Sequence, residues 1–120
     1  MKTLDEITQI AREYGRPNPD YWSVGGVPPA VARELLNDEG DMDEYHNSAP
    51  THEEMLEICE SHNGTLEGYI IPKESGRNDA RVMFDGFTLD TDELSAHRLA
   101  VSMHPDEFDQ TNNGWRFWWD

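Results

Sequence analysis

Along the first hundred residues the apolar positions recur with the period of a helix in some stretches and of a strand in others. Leu4, Ile7, Ile10, Ala11 and Tyr14 fall on one face at 100° per residue, Thr3 and Glu6 form a capping box, and Gly15 and Pro17 stop the run. The spacing predicts a helix over 4–14. Pro28 and Pro29 suit a first helical turn, and Val31, Ala32, Leu35 and Leu36 extend it to Asn37. Between these helices, residues 16–27 carry Pro, Asn and Gly punctuation and read as an ordered loop pinned by Tyr21 and Trp22. A second capping box, Thr51 with Glu54, opens a helix over 52–62. Its inner side holds Met55, Ile58, Cys59 and His62, while Glu53, Glu57 and Glu60 share the outer side with Glu54 nearby.

From Thr65 the period shortens to that of a strand. Tyr-Ile-Ile at 69–71 reads as one strand, and Asp85-Gly86 between two apolar runs reads as a type I′ hairpin turn. That turn would place Val82, Phe84, Phe87 and Leu89 on one face. Asp90 and Glu93 form a third box before a helix over 92–103, whose Leu94, Ala96, His97, Leu99, Ala100, Val101 and Met103 predict burial on the sheet, with His97 a core residue. After a loop over 104–114, alternation in the last residues puts Trp115, Phe117 and Trp119 on a core face and leaves Trp118 on the other, as an aromatic anchor or packed beneath a loop. The predicted architecture is α+β: three N-terminal helices, a three-stranded antiparallel meander, one buried helix and a C-terminal strand joining the sheet, in one domain over 1–120.

Composition narrows the classes of function. Only 36% of residues are apolar and the mean hydropathy is −0.82, so the core has little material to spare. No run suits a signal peptide or a membrane span, and the single cysteine excludes an internal disulfide, which together predict a soluble, cytoplasmic protein. The 25 acidic residues outnumber the 9 basic ones, giving a net charge of −16. Such a surface repels nucleic acid and anionic membrane and attracts basic partners.

That charge is concentrated. Residues 34–72 contain no Lys or Arg but hold eleven carboxylates: Glu34, Asp38, Glu39, Asp41, Asp43, Glu44, Glu53, Glu54, Glu57, Glu60 and Glu67. A helix with carboxylates at i, i+4 and i+7 beside a loop with five more can compete with phosphates for arrays of Lys and Arg. The expected binding surface is therefore Asp38, Glu39, Asp41, Asp43, Glu44, Glu53, Glu54, Glu57 and Glu60, with Trp118 as a candidate anchor. The expected partner is a basic, nucleic-acid-binding protein, with no direct contact to nucleic acid or membrane. In charge and length the chain resembles small phage-encoded inhibitors of restriction or CRISPR systems and acidic immunity proteins that neutralise nucleases, and that resemblance implies a DNA-mimic inhibitor. Two readings need no partner: a solvated acidic face, and the salt-adapted surface of a halophile's protein.

Other chemistry is weakly signalled. The loop at 38–44 could attract a divalent cation, but Tyr45 and His46 break the EF-hand pattern, and no dedicated metal site or cofactor is expected. Cys59 and His62, with His46 or His52, could supply zinc ligands, although a buried thiol suits Cys59 better. No nucleophile elbow, phosphate loop, dinucleotide fingerprint or H-E-x-x-H occurs, so an enzyme is not expected. Nothing in the pattern specifies an oligomeric state.

Overall fold

The computed structural model describes residues 4–19, 21–39, 42–45, 48–71 and 81–120, without the side chains of Leu4, Asp5, Thr8, Asp38 and Glu39. Thr3 of the first capping box, Asp41, His46 and the polar loop at 72–80 lie outside the described residues. The first helix, α1, spans Leu4–Tyr14 and is followed by two strands, β1 (Gly15–Pro17) and β2 (Trp22–Val27). Helices α2 (Pro29–Glu39) and α3 (His52–Ser61) come next, then strands β3 (Thr65–Ile71) and β4 (Arg81–Leu89). Helix α4 (Glu93–Met103) and strands β5 (Glu107–Thr111) and β6 (Gly114–Trp118) complete the described chain. The six strands form one antiparallel sheet in the order β1-β2-β3-β4-β6-β5. The α+β class therefore holds, while the predicted arrangement of helices and strands does not.

Strand β4 carries the clearest correction. It runs unbroken through Asp85-Gly86, where a hairpin turn was expected, and the register against β3 passes from Glu67↔Gly86 to Gly68↔Phe84. Two steps on β4 thus oppose one on β3, which is a β-bulge. One inserted residue reverses the alternation of side chains just as a two-residue turn does. Val82, Phe84, Phe87 and Leu89 accordingly share the buried face, as the hairpin also required, although the chain continues straight on.

The expected loop at 16–27 contains β1 and β2, and the expected loop at 104–114 contains β5. β1 and β5 are the edge strands, where Gly, Pro and charged residues are admitted because one side of the backbone need not pair, whereas β2 is paired on both sides and carries Gly25 and Gly26 at the register shift between Val24 and Val27. Asn112-Asn113 join β5 to β6, and Gly114 adopts a φ of 138°, which favours glycine.

The helices cover the face of the sheet that carries Val24, Leu66, Ile70, Phe84, Phe87 and Phe117, and these residues join Ile7, Ala11, Leu35, Leu36, Met55, Leu56 and Trp119 in one apolar cluster. Among the described residues no helix is long and apolar enough to cross a membrane. Helix α4 departs from expectation: Ala96 is its buried residue, whereas Leu94 is 60% and Val101 74% exposed. His97 is likewise exposed rather than a core residue, its ring edge-on to Phe108 and Trp115 and its Nε2 3.6 Å from Glu93. The cap of α4 is Asp92, not Asp90: its carboxylate accepts the Ser95 hydroxyl (2.6 Å) and the Ser95 N–H (3.1 Å), and these bonds hold it below the usual carboxylate range.

Buried Cys59 faces the core from α3, and burial, assisted by the neighbouring Glu60 charge, pushes its thiol up to about 12. An unfolded chain ionises this thiol near pH 9, whereas the folded chain holds its proton to about pH 12. The unfolded state therefore binds fewer protons in that window, and stability falls as pH rises from about 9 to 12. Urea titrations across this range should show a shallower decline for Cys59→Ala than for the wild type; parallel declines would remove Cys59 as the cause.

Candidate interaction surface

Helix α3 is held rigidly before any partner arrives. The Glu54 carboxylate accepts the Thr51 N–H (3.1 Å) and hydroxyl (3.0 Å), while the Thr51 oxygen accepts the Glu54 N–H (3.2 Å), completing the predicted capping box. His52 Nε2 accepts the buried Phe84 N–H (3.0 Å), which ties the start of the helix to β4. An acceptor Nε2 requires a neutral ring with its proton on Nδ1. His52 thus has a structural task that its sequence position did not reveal. The helix's inner side buries Met55, Leu56 and Cys59.

Segment 42–45 joins this helix through the backbone. The His52 N–H donates to the Glu44 carbonyl and the Glu53 N–H to the Met42 carbonyl, both at 3.0 Å, so the segment satisfies two donors at the helix N-terminus. Part of the acidic loop and the acidic helix are therefore one surface. Asp38 and Glu39, expected in that loop, belong to the end of α2, and Asp41 lies outside the described residues.

Within the surface the carboxylates divide by what they touch. Glu53 and Glu57 are exposed, one turn apart, and among the described residues neither has an ion pair. Glu54 is exposed but serves the cap. Glu60 takes Arg33 of α2 at 2.7 Å, and Glu44 takes Arg81 of β4 at 3.1 Å. The outer face of α3 is therefore not purely acidic at its C-terminal end. Asp43 is exposed and engaged in an interaction of its own. These pairs are surface contacts worth about 0–1 kcal/mol each, and a partner's cations could exchange with them.

Trp118 does not join this surface. Phe117 faces the helices, so Trp118 lies on the opposite face of the sheet, half-buried, with the Arg116 guanidinium 5.7 Å from its ring centre. Glu67 lies there too, accepting Arg116 in a fork at 2.7 and 2.9 Å, a bond that raises the guanidinium's pKa further. The same side of the molecule bears an open apolar depression of about 260 Å³ lined by Tyr21, Tyr69 and Ile71. Arg33, Arg81 and Arg116 are the residues that sequence reasoning missed, because each reaches a carboxylate on another element.

Among the described residues no three His, Cys, Asp or Glu side chains converge as a metal centre would require. Cys59 and His62 are drawn apart in character: the thiol is buried and held protonated, and His62 sits half-exposed at the helix C-cap. Comparison with known proteins returns no matching family model, no matching curated protein and no matching solved structure.

Proposed function

We propose that the chain is an acidic binding protein that occludes a basic, nucleic-acid-binding partner by offering carboxylates where that partner expects phosphates. The observation that carries this reading is the pair Glu53 and Glu57, exposed on a helix that is capped and tied to the sheet, where among the described residues neither of the two carboxylates faces a cation and only Glu60, near the helix end, is met by Arg33. They stand ~6 Å apart along the helix axis, close to two phosphate steps of one strand at ~3.4 Å of duplex axis each. A preformed helix loses little conformational freedom on binding, so the charges are presented at low entropic cost. The protein would act in the cytoplasm as an inhibitor of the DNA-mimic kind, touching protein and not nucleic acid.

Because Glu54 and Glu60 have structural partners, the informative variant is Glu53→Gln with Glu57→Gln. Immobilised wild type and variant are exposed to lysate of the source cell, and retained proteins are identified by mass spectrometry. The expected result is a basic protein held by the wild type and lost by the variant, with affinity for it reduced about tenfold, or ~1–2 kcal/mol for two surface pairs. Association should slow as salt is added. Equal retention by both proteins would sink the assignment.

A second reading, salt adaptation, is favoured by carboxylates exposed on other faces as well: Glu6 and Glu13 on α1, Asp90, Asp92 and Glu93 before and within α4, Glu107 and Asp109 on β5. Under that reading molar KCl raises the melting temperature by tens of degrees, roughly several kcal/mol for a chain of this size. A shift of a few degrees would leave the binding reading alone.

A further inference from the structure

We propose that the free edge of β5 is a docking site for an extended basic segment of a partner protein, which adds to the sheet as a further strand. The preceding proposal and this one share the basic character of the partner, but they use different surfaces, so either can fail alone.

Strand β5 ends the sheet order, and among the described residues nothing pairs with its outer edge. That edge is a row of backbone donors and acceptors, the template used in strand addition. Native edges are often blunted by Lys, which repels a second strand. This one carries Glu107 and Asp109 instead, both exposed. The neighbouring cation, Arg116, is already forked onto Glu67 and reaches Glu107 only at 3.6 Å. One guanidinium thus faces three carboxylates, and the edge remains negative.

The other face of the edge carries Phe108 and, by alternation, exposed Gln110. Phe108 lies half-buried there, stacked on Trp115 and in edge contact with His97 of α4. Around α4 at 100° per residue, His97 stands ~100° from buried Ala96, with Val101 at ~140° and Leu94 at ~160° in the same sense. His97 is thus the residue of α4 that reaches Phe108, while Leu94 and Val101 point nearer to solvent than to the sheet. A strand added to β5 would place every second side chain against Phe108 and the His97 ring beside it. The alternate side chains would lie beside Glu107 and Asp109.

The chemistry of the occupant follows from that alternation: apolar residues on one face, Lys or Arg on the other. Opposite charges across neighbouring strands are favourable and like charges directly opposite are destabilising. A second copy of β5 would set Glu107 and Asp109 against its own carboxylates, so self-pairing is disfavoured.

The probe is a capped peptide of alternating Lys and Val, titrated into the isotope-labelled full chain at low salt, with backbone amide shifts and hydrogen exchange read residue by residue. The expected result is slowed exchange in Glu107–Thr111 and shifts at Phe108 and His97. Glu107→Lys with Asp109→Lys should weaken binding about tenfold or more, and so should N-methylation of every second peptide amide. A Glu/Val peptide should not bind. The proposal is overturned if the shifts map to Glu53 and Glu57 on α3, if the N-methylated peptide binds equally well, or if β5 is protected by self-association without peptide. Only the first of these outcomes would speak for the α3 surface.

Discussion

Replacing Trp119 by Ala should lower the unfolding free energy by about 3–5 kcal/mol, a large share of the ~5–15 kcal/mol that holds a domain together. Trp119 is fully buried, its ring centre 5.5 Å from that of Phe87, and its Nε1–H donates to the Met103 carbonyl at 3.3 Å. Its own N–H donates to the Asp85 carbonyl at 3.0 Å, joining the chain end to the bulge of β4. Truncation removes the largest buried side chain and leaves a cavity between α4 and the sheet. Trp118, half-buried on the opposite face beside Arg116, should cost no more than about 1 kcal/mol when changed to Ala, because it fills no closed space. Urea unfolding followed by circular dichroism separates the two. Equal losses would show that the alternation along β6 has been assigned to the wrong faces.

The second large effect concerns backbone packing. A β-carbon on Gly68 would overlap the Met83 carbonyl oxygen and come within 2.7 Å of the Phe84 Cα, both backbone atoms of β4 that cannot rotate away. Gly68→Ala should therefore force the β3–β4 ladder apart at the bulge and destabilise by about 1–3 kcal/mol or more, the cost of overpacking. Gly25→Ala is the matched control on β2. The nearest atom there is 3.9 Å away, and a neutral or slightly stabilising change is expected. If Gly68→Ala unfolds at the wild-type urea concentration, the close approach of the two strands is not as described.

How much of this was legible in the sequence depended on how local each cause is. Helices α1 and α3 follow from apolar spacing and, for α3, a capping box whose members are three residues apart. The hairpin expected at Asp85-Gly86 fails for a definite reason: a two-residue turn and a one-residue bulge invert the side-chain alternation alike, so the buried set came out right and the chain path wrong. Strands β1 and β5 were hidden because edge strands tolerate Pro, Gly and charge. Helix α4 looked buried because apolar residues occupy most of its circumference, yet only one side has a sheet beneath it.

The acidic surface was legible as a charge run but not as a pattern of occupied and open sites. Arg33 lies 27 residues from Glu60 and Arg81 lies 37 residues from Glu44, separations over which one-dimensional spacing says nothing about contact. What the fold adds is a division of labour. Glu54 closes a helix, Glu44 and Glu60 tether neighbouring elements, and Glu53 with Glu57 project without a partner among the described residues.

Competition with nucleic acid tests that division most directly. The basic protein retained by the wild-type chain is loaded with a fluorescent oligonucleotide, and wild type or the Glu53→Gln, Glu57→Gln variant is titrated in while anisotropy is followed. The wild type should release the oligonucleotide stoichiometrically, and the variant should need about tenfold more protein to do so. An oligonucleotide that stays bound at saturating wild-type protein, or is released equally by both, would contradict phosphate mimicry by α3.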